Sequence, residues 1–212
     1  DIDALRDIAV AAPDAEDFLA RVLTAFELAT APTGPRKIAL SGTDAATVAR
    51  WIAIGTVLLP EPAAYRCSFD VFTADIRTAS ATVVALNPAV TGRPVDVTAL
   101  PDRTGIDLDT FGTGPIEVSD TARFWARRFL TESDVYDVVD AVAVADTLCS
   151  GDRAGVVAAS VVVFGDRPGS PDEIRHLVTA IENLDAAGVD EFAEPLVAAV
   201  LAARSDPIVD VD

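Results

Sequence analysis

The stretch Lys37-Ile38-Ala39-Leu40-Ser41-Gly42-Thr43-Asp44 decides the fold, together with the residues that follow it, Val48, Trp51, Ile52, Gly55, Leu58 and Leu59. The first five residues read as a short buried strand. Gly42 to Asp44 turn the chain, and the apolar residues beyond recur at helical spacing until Pro60 and Pro62 stop the helix. Strand, tight turn and amphipathic helix in succession form the opening of an α/β layer.

Outward from that unit, Asp14 is read as the cap of a preceding helix whose face is Phe18, Leu19, Val22, Leu23 and Phe26, and Ala31 to Pro35 end it. Downstream, Tyr65, Cys67, Phe69 and Val71 alternate with Arg66, Ser68 and Asp70 and predict a strand. A polar loop from Thr73 to Ala81 leads to a further strand over Thr82 to Leu86, closed by Asn87 and Pro88. From Ala89 to Ile116 the chain is rich in Gly, Pro, Asp and Thr, and it is read as a boundary with one short strand at Val95 to Leu100.

Beyond the boundary the pattern is helical. Ser119 or Asp120 caps a helix bearing Phe124, Trp125 and Phe129, and Ser133 caps one bearing Val135, Val138, Val139 and Val142. Ala154 to Phe164 is an apolar run whose length allows strand or buried helix; β-branching favours the strand and the helical surroundings the helix, and it is read as a helix. Ser170-Pro171-Asp172-Glu173 opens another, with Ser as cap, Pro in the first turn and Glu placed to return to the cap amide; it is read as running to Gly188. A last helix carries Leu196, Val197, Val200 and Leu201, with Pro195 in its first turn. The expected fold is α/β: a short, partly parallel sheet with flanking helices over residues 1–116, then an all-helical subdomain over 117–212, the two sharing one core.

About half of the 212 residues are apolar, so a core can be built. The formal charge of −18, with fifteen Arg and one Lys, speaks against nucleic acid and anionic membrane as partners, because both demand a cationic surface. No apolar run approaches the roughly 18 residues that span a bilayer, and no basic and apolar leader opens the chain, so a cytoplasmic protein is expected. Cys67 and Cys149 lack CxxC or metal-ligand spacing and are expected as reduced thiols. The opening Asp1 and the lack of Met lead us to expect a piece of a longer polypeptide.

Few residues suggest chemistry. Ser41, Gly42, Thr43 and Asp44 lie between a strand and a helix N-terminus, where free amides suit an anion. A phosphate-binding loop would also need a glycine-framed span ending in Lys and Ser or Thr, which is missing, so a capping turn is the first reading and a small-molecule or nucleotide-binding enzyme the alternative. His176, the single histidine, falls opposite the stripe of Ile174, Leu177, Val178 and Ile181, and no spacing joins it to Cys149. Asp134, Asp137 and Asp140, and likewise Asp107 and Asp109, are read as solvated carboxylates, since a hard cation needs more convergent oxygens. No cofactor is expected. Arg123, Arg127 and Arg128 form a basic cluster on the face away from Phe124 and Phe129; they pair with neighbouring carboxylates or dock an acidic partner.

The strand Lys37-Ile38-Ala39-Leu40, the helix Ala49-Arg50-Trp51-Ile52-Ala53 running to Leu58-Leu59-Pro60, and Tyr65-Arg66-Cys67-Ser68-Phe69 with Phe72-Thr73 carry a resemblance. Over Arg36 to Pro88 the chain resembles the middle domain of the bacterial GTPase-associated protein family, large multidomain proteins encoded beside small Ras-like GTPases in conflict systems. The resemblance implies a non-enzymatic scaffold or adaptor segment with a small GTPase as partner. It transfers no active-site residue, because the matching positions are packing residues.

Overall fold

A computed structural model describes residues 1–73, 75–76, 78–92, 95–149 and 151–204. The chain divides into two compact units, Asp1–Val135 and Tyr136–Asp212. Within the first unit, the helix Asp120–Thr131 (α6) packs on the helix Ala15–Thr30 (α2), although the sequence groups α6 with the helical half.

The first unit is built on a five-stranded sheet. Its strands are Ile38–Ser41 (β1), Phe69–Val71 (β2), Val83–Leu86 (β3), Thr104–Asp107 (β4) and Gly112–Thr113 (β5), in the order β2-β3-β1-β4-β5. β1 lies parallel to both β3 and β4, with Ile38 opposite Val83 on one side and Thr104 on the other. β2 is parallel to β3, and only β5 runs antiparallel. A central strand covered on both faces has no solvent side to mark with polar residues, which is why all four residues of β1 are buried and read as a continuous apolar run.

Helices cover one face. Ile2–Val10 (α1), α2 and Ala45–Val57 (α3) pack together, and the face predicted for α2, from Phe18 to Phe26, is buried as read. Phe18 meets Trp51 edge to face at 5.0 Å. Gly55 sits against the Phe26 ring, where a Cβ would come within 2.4 Å of ring carbon, so this helical glycine is required by packing. On the other face Ala39, Val84 and Leu86 pack with Ile76 and Val97.

Several expectations are corrected. Asp14 makes no side-chain cap; it adopts a left-handed conformation (φ 47°) and turns the chain from α1 into α2. The strand expected from Tyr65 shortens to Phe69–Val71, because Glu61–Ala64 form a helical turn (α4) whose carbonyls take up the amides of Tyr65, Arg66 and Cys67. Pro88–Thr91 is a further short helix (α5), and Val95 to Leu100 is no strand: Val97–Ala99 is a 3-10 turn. The strand in that region is β4, whose Gly105 lets the Val97 carbonyl lie 1.8 Å from where a Cβ would stand.

The second unit is helical: Val135–Cys149 (α7, its first residue closing the first unit), Arg153–Phe164 (α8), Pro171–Glu182 (α9) and Ala186–Arg204 (α10). α8 is a helix, as expected. Leu148, Ala158, Ile174, Leu177, Phe192 and Leu196 belong to its apolar cluster. Ser170 Oγ accepts the Glu173 amide, but Glu173 reaches back to the Gly169 amide and not to the cap amide itself. α9 ends at Glu182, so Gly188 and Pro195 both lie inside α10, which begins two turns before the expected proline start.

Candidate functional site

The turn from Ser41 to Asp44 stands at the carboxyl end of the parallel sheet, the place where ligands bind in open α/β folds. Its amides at Gly42 and Thr43 are engaged. Gly42 N donates to the Leu86 carbonyl at 3.1 Å. Thr43 N donates to both carboxylate oxygens of Asp109, at 3.2 and 3.1 Å, and Thr43 Oγ1 donates to Asp109 Oδ1 at 3.0 Å. Asp44 caps α3, accepting from Ala46 N, Thr47 N and Thr47 Oγ1 at 3.3, 2.9 and 2.6 Å. The Thr47 hydroxyl, followed by the Thr47 and Ala46 amides, holds the Asp44 carboxyl below its usual range.

Neighbouring loops close the arrangement. Asn87 Nδ2 donates to the Thr43 carbonyl at 3.0 Å while Asn87 Oδ1 accepts the Ala89 amide at 2.8 Å. Asp107 Oδ1 accepts the amides of Asp109 and Thr110, at 2.9 and 3.0 Å. The amides of Thr43, Ala46 and Thr47, which would face a phosphate, are thus occupied by carboxylates of the chain itself, and three aspartates crowd the same end of the sheet. Chemically, the turn ties β1, β3 and β4 together.

The basic cluster lies on α6. Arg127 binds Glu16 of α2 at 3.1 Å, and Arg128 binds Glu132 at 2.9 Å while lying 5.5 Å from the centre of the Phe124 ring. Contrary to expectation, Arg128, four residues on, thus shares the Phe124 side of α6 and does not face away from it. Arg123 is exposed and makes no ion pair among the described residues. The structure therefore places two of the three arginines in carboxylate pairs and leaves Arg123 to solvent.

His176 is partly buried on α9, and no hydrogen bond joins it to Cys149 among the described residues. Both cysteines are free thiols; burial pushes each upward, and the Asp152 charge adds to the effect at Cys149 while a bond with Asn183 opposes it. Asp134, Asp137 and Asp140 are exposed, and among the described residues no group of three or more His, Cys, Asp or Glu side chains is arranged to hold a metal ion.

Two polar positions escaped the sequence. Arg103 is 5% exposed, and its Nη2 donates to the Ile76 and Ala79 carbonyls at 2.8 and 3.4 Å while Nη1 has no hydrogen-bond partner among the described residues. No local pattern marks it, because the carbonyls it holds are more than twenty residues away. Glu27 carried a signal, since it follows Leu23 at helical spacing into the apolar face of α2. Burial raises its carboxyl above the usual range, and the bond from Ser119 Oγ, at 2.6 Å, opposes this. Ser119 in turn accepts the Ala122 amide as the cap of α6.

No described helix is long and apolar enough to cross a membrane. No curated protein and no solved structure matches the chain. A family model does: GTPase-associated protein 1, middle domain, matches residues 4–110, from α1 through β4 and the turn built on Asp107 and Asp109. The match extends the resemblance carried by Arg36 to Pro88 in both directions, to just over half of the 212 residues, and the chain belongs to this GTPase-associated protein family.

Proposed function

We propose that the chain is a non-enzymatic scaffold or adaptor module that mediates protein–protein contacts, with a small GTPase as its partner, in the cytoplasm of a bacterium that uses such proteins in conflict systems. The observation that carries the reading is the occupied turn within the family-matched residues. Where an α/β enzyme would offer amides to a ligand, Asp44 and Asp109 fill them. The family supports the partner class. Arg123 offers cationic character without a competing ion pair, on a molecule whose formal charge is −18.

The test is a titration of a purified small Ras-like GTPase from the same organism against the wild type and an Arg123→Glu, Arg127→Glu double variant at two ionic strengths. Binding by the wild type, weakened in the variant and less salt-dependent there, is expected, since long-range attraction is screened within about 8 to 10 Å at physiological salt. Stability should change little, because exposed ion pairs contribute roughly 0 to 1 kcal/mol. No binding by the wild type, or turnover of ATP, GTP, ester or peptide abolished by His176→Ala or Cys149→Ala, would overturn the reading.

A further inference from the structure

β2 is an exposed edge strand, blunted by its length of three residues and by the charge of Asp70. Its three residues are all exposed, Phe69 at 61% and Val71 at 36%, and Tyr65 just before it is 82% exposed. Sheet edges are normally blunted by Lys, Pro or a covering loop, because they present a row of unpaired main-chain groups. Here Val83 N donates to the Ser68 carbonyl and Phe72 N to the Ala85 carbonyl, so the main-chain groups of even-numbered residues face β3. Those of Phe69 and Val71 face outward. Phe72 then takes a left-handed conformation (φ 66°) and ends the strand.

The side chains specify what can pair there. Phe69 and Val71 stand opposite Val83 and Ala85 and share their face, while Asp70, opposite Val84, lies on the other face. An antiparallel strand added at this edge would place apolar residues beside Phe69 and Val71 and one residue directly across from Asp70, at the narrow, non-hydrogen-bonded position. A second copy of this chain fits poorly: two-fold pairing centred on the strand sets Asp70 against Asp70, and in any register it joins molecules that each carry −18. Charge complementarity requires a cation at that position.

We propose that the β2 edge accepts, by strand addition, an extended segment of another protein in which Lys or Arg stands between two apolar residues. The proposal deepens the adaptor reading and rests on it for a protein partner; its test uses a synthetic peptide, so failure of GTPase binding leaves it standing. The probe is acetyl-Thr-Val-Lys-Val-Thr-amide, titrated into the full chain and followed by amide chemical shifts. Shifts centred on Phe69 to Val71 are expected, lost with a peptide N-methylated at both valines. Replacing the peptide Lys by Glu should weaken binding about two- to fivefold, the range of a cross-strand charge pair, and D70K should reverse that preference. The exposed Asp70 makes D70K a variant that folds, and V71K, judged by the same titration, provides a second one that should lose binding. Absence of shifts, shifts elsewhere, equal affinity for the Lys and Glu peptides, or self-association of the free chain through this edge would overturn the proposal.

Discussion

The two flanks of β1 are built from similar short strands and end in opposite ways. On the β4 flank, Gly105 admits the Val97 main chain against the strand, Gly114 N donates back to the Gly105 carbonyl, and β5 folds antiparallel across the edge. On the β2 flank, a three-residue strand leaves an aromatic and a branched side chain in solvent and its outer main-chain groups without partners among the described residues. A sheet of this size does not need both edges covered to be stable. Where one is left open with apolar residues on it, the cause is to be sought in binding and not in folding.

The largest effect should come from breaking the closed flank. Gly105→Val would drive side-chain atoms into the Val97 carbonyl, which is backbone and cannot swing aside. We expect a loss of about 3 kcal/mol or failure to fold, read by chemical denaturation, since overpacking a tight contact typically costs that much. Phe69→Thr on the open flank, measured in the same way, should change stability by about 0.5 kcal/mol or less, as exposed substitutions usually do. Equal losses at the two positions would erase the contrast.

A smaller effect is expected where the flanks are tied. Arg103, just before β4, holds carbonyls of the segment between β2 and β3, and Arg103→Met keeps the apolar stem while removing the guanidinium. The lost charged hydrogen bonds contribute roughly 1.5 to 3 kcal/mol, partly offset because the unpartnered Nη1 is no longer buried. Amide hydrogen exchange should accelerate at Val83 and Val84 more than at Ile106. Uniform acceleration across the sheet would mean that Arg103 supports the whole layer.

The smallest expected effects are of opposite sign with pH. The Asp44 carboxyl is lowered from its ordinary 3.8 by Thr47, so its contribution is present above that value and is lost as pH falls through the lower native value. Asp44→Ala should therefore destabilise at neutral pH, the gap closing in acid. Glu27 is raised from 4.5 by burial, so the native state favours its protonated form, and the stability this brings is present below 4.5 and lost as pH rises through the raised native value. Glu27→Gln, which keeps an oxygen for the Ser119 hydroxyl, should gain on the wild type at neutral pH and lose that gain in acid. Thermal melts at stepped pH check both, and parallel curves for the two variants would refute the assignment.

The sequence by itself determined β1, the turn after it and the helix that follows, because a buried parallel strand and an amphipathic helix write their surroundings into runs of a few residues. It also determined the Ser170 start of α9, and it carried the family resemblance in the packing residues of Arg36 to Pro88; for Ala154 to Phe164 it left strand and helix open, with only the neighbouring helices favouring the helix. Tertiary structure alone decided the rest. Thr104-Gly105-Ile106-Asp107 has little strand character of its own and becomes β4 because β1 offers a ladder and Val97 a close backbone. Tyr65 to Cys67 alternate like a strand, yet α4 claims their amides first. The carboxylate filling the turn at Thr43 comes from Asp109, far along the chain, and Phe69 is exposed because no described element covers the β2 edge. Local pattern reports which face of a segment is apolar; which partner arrives at that face, or whether one does, is fixed by contacts between residues distant in sequence.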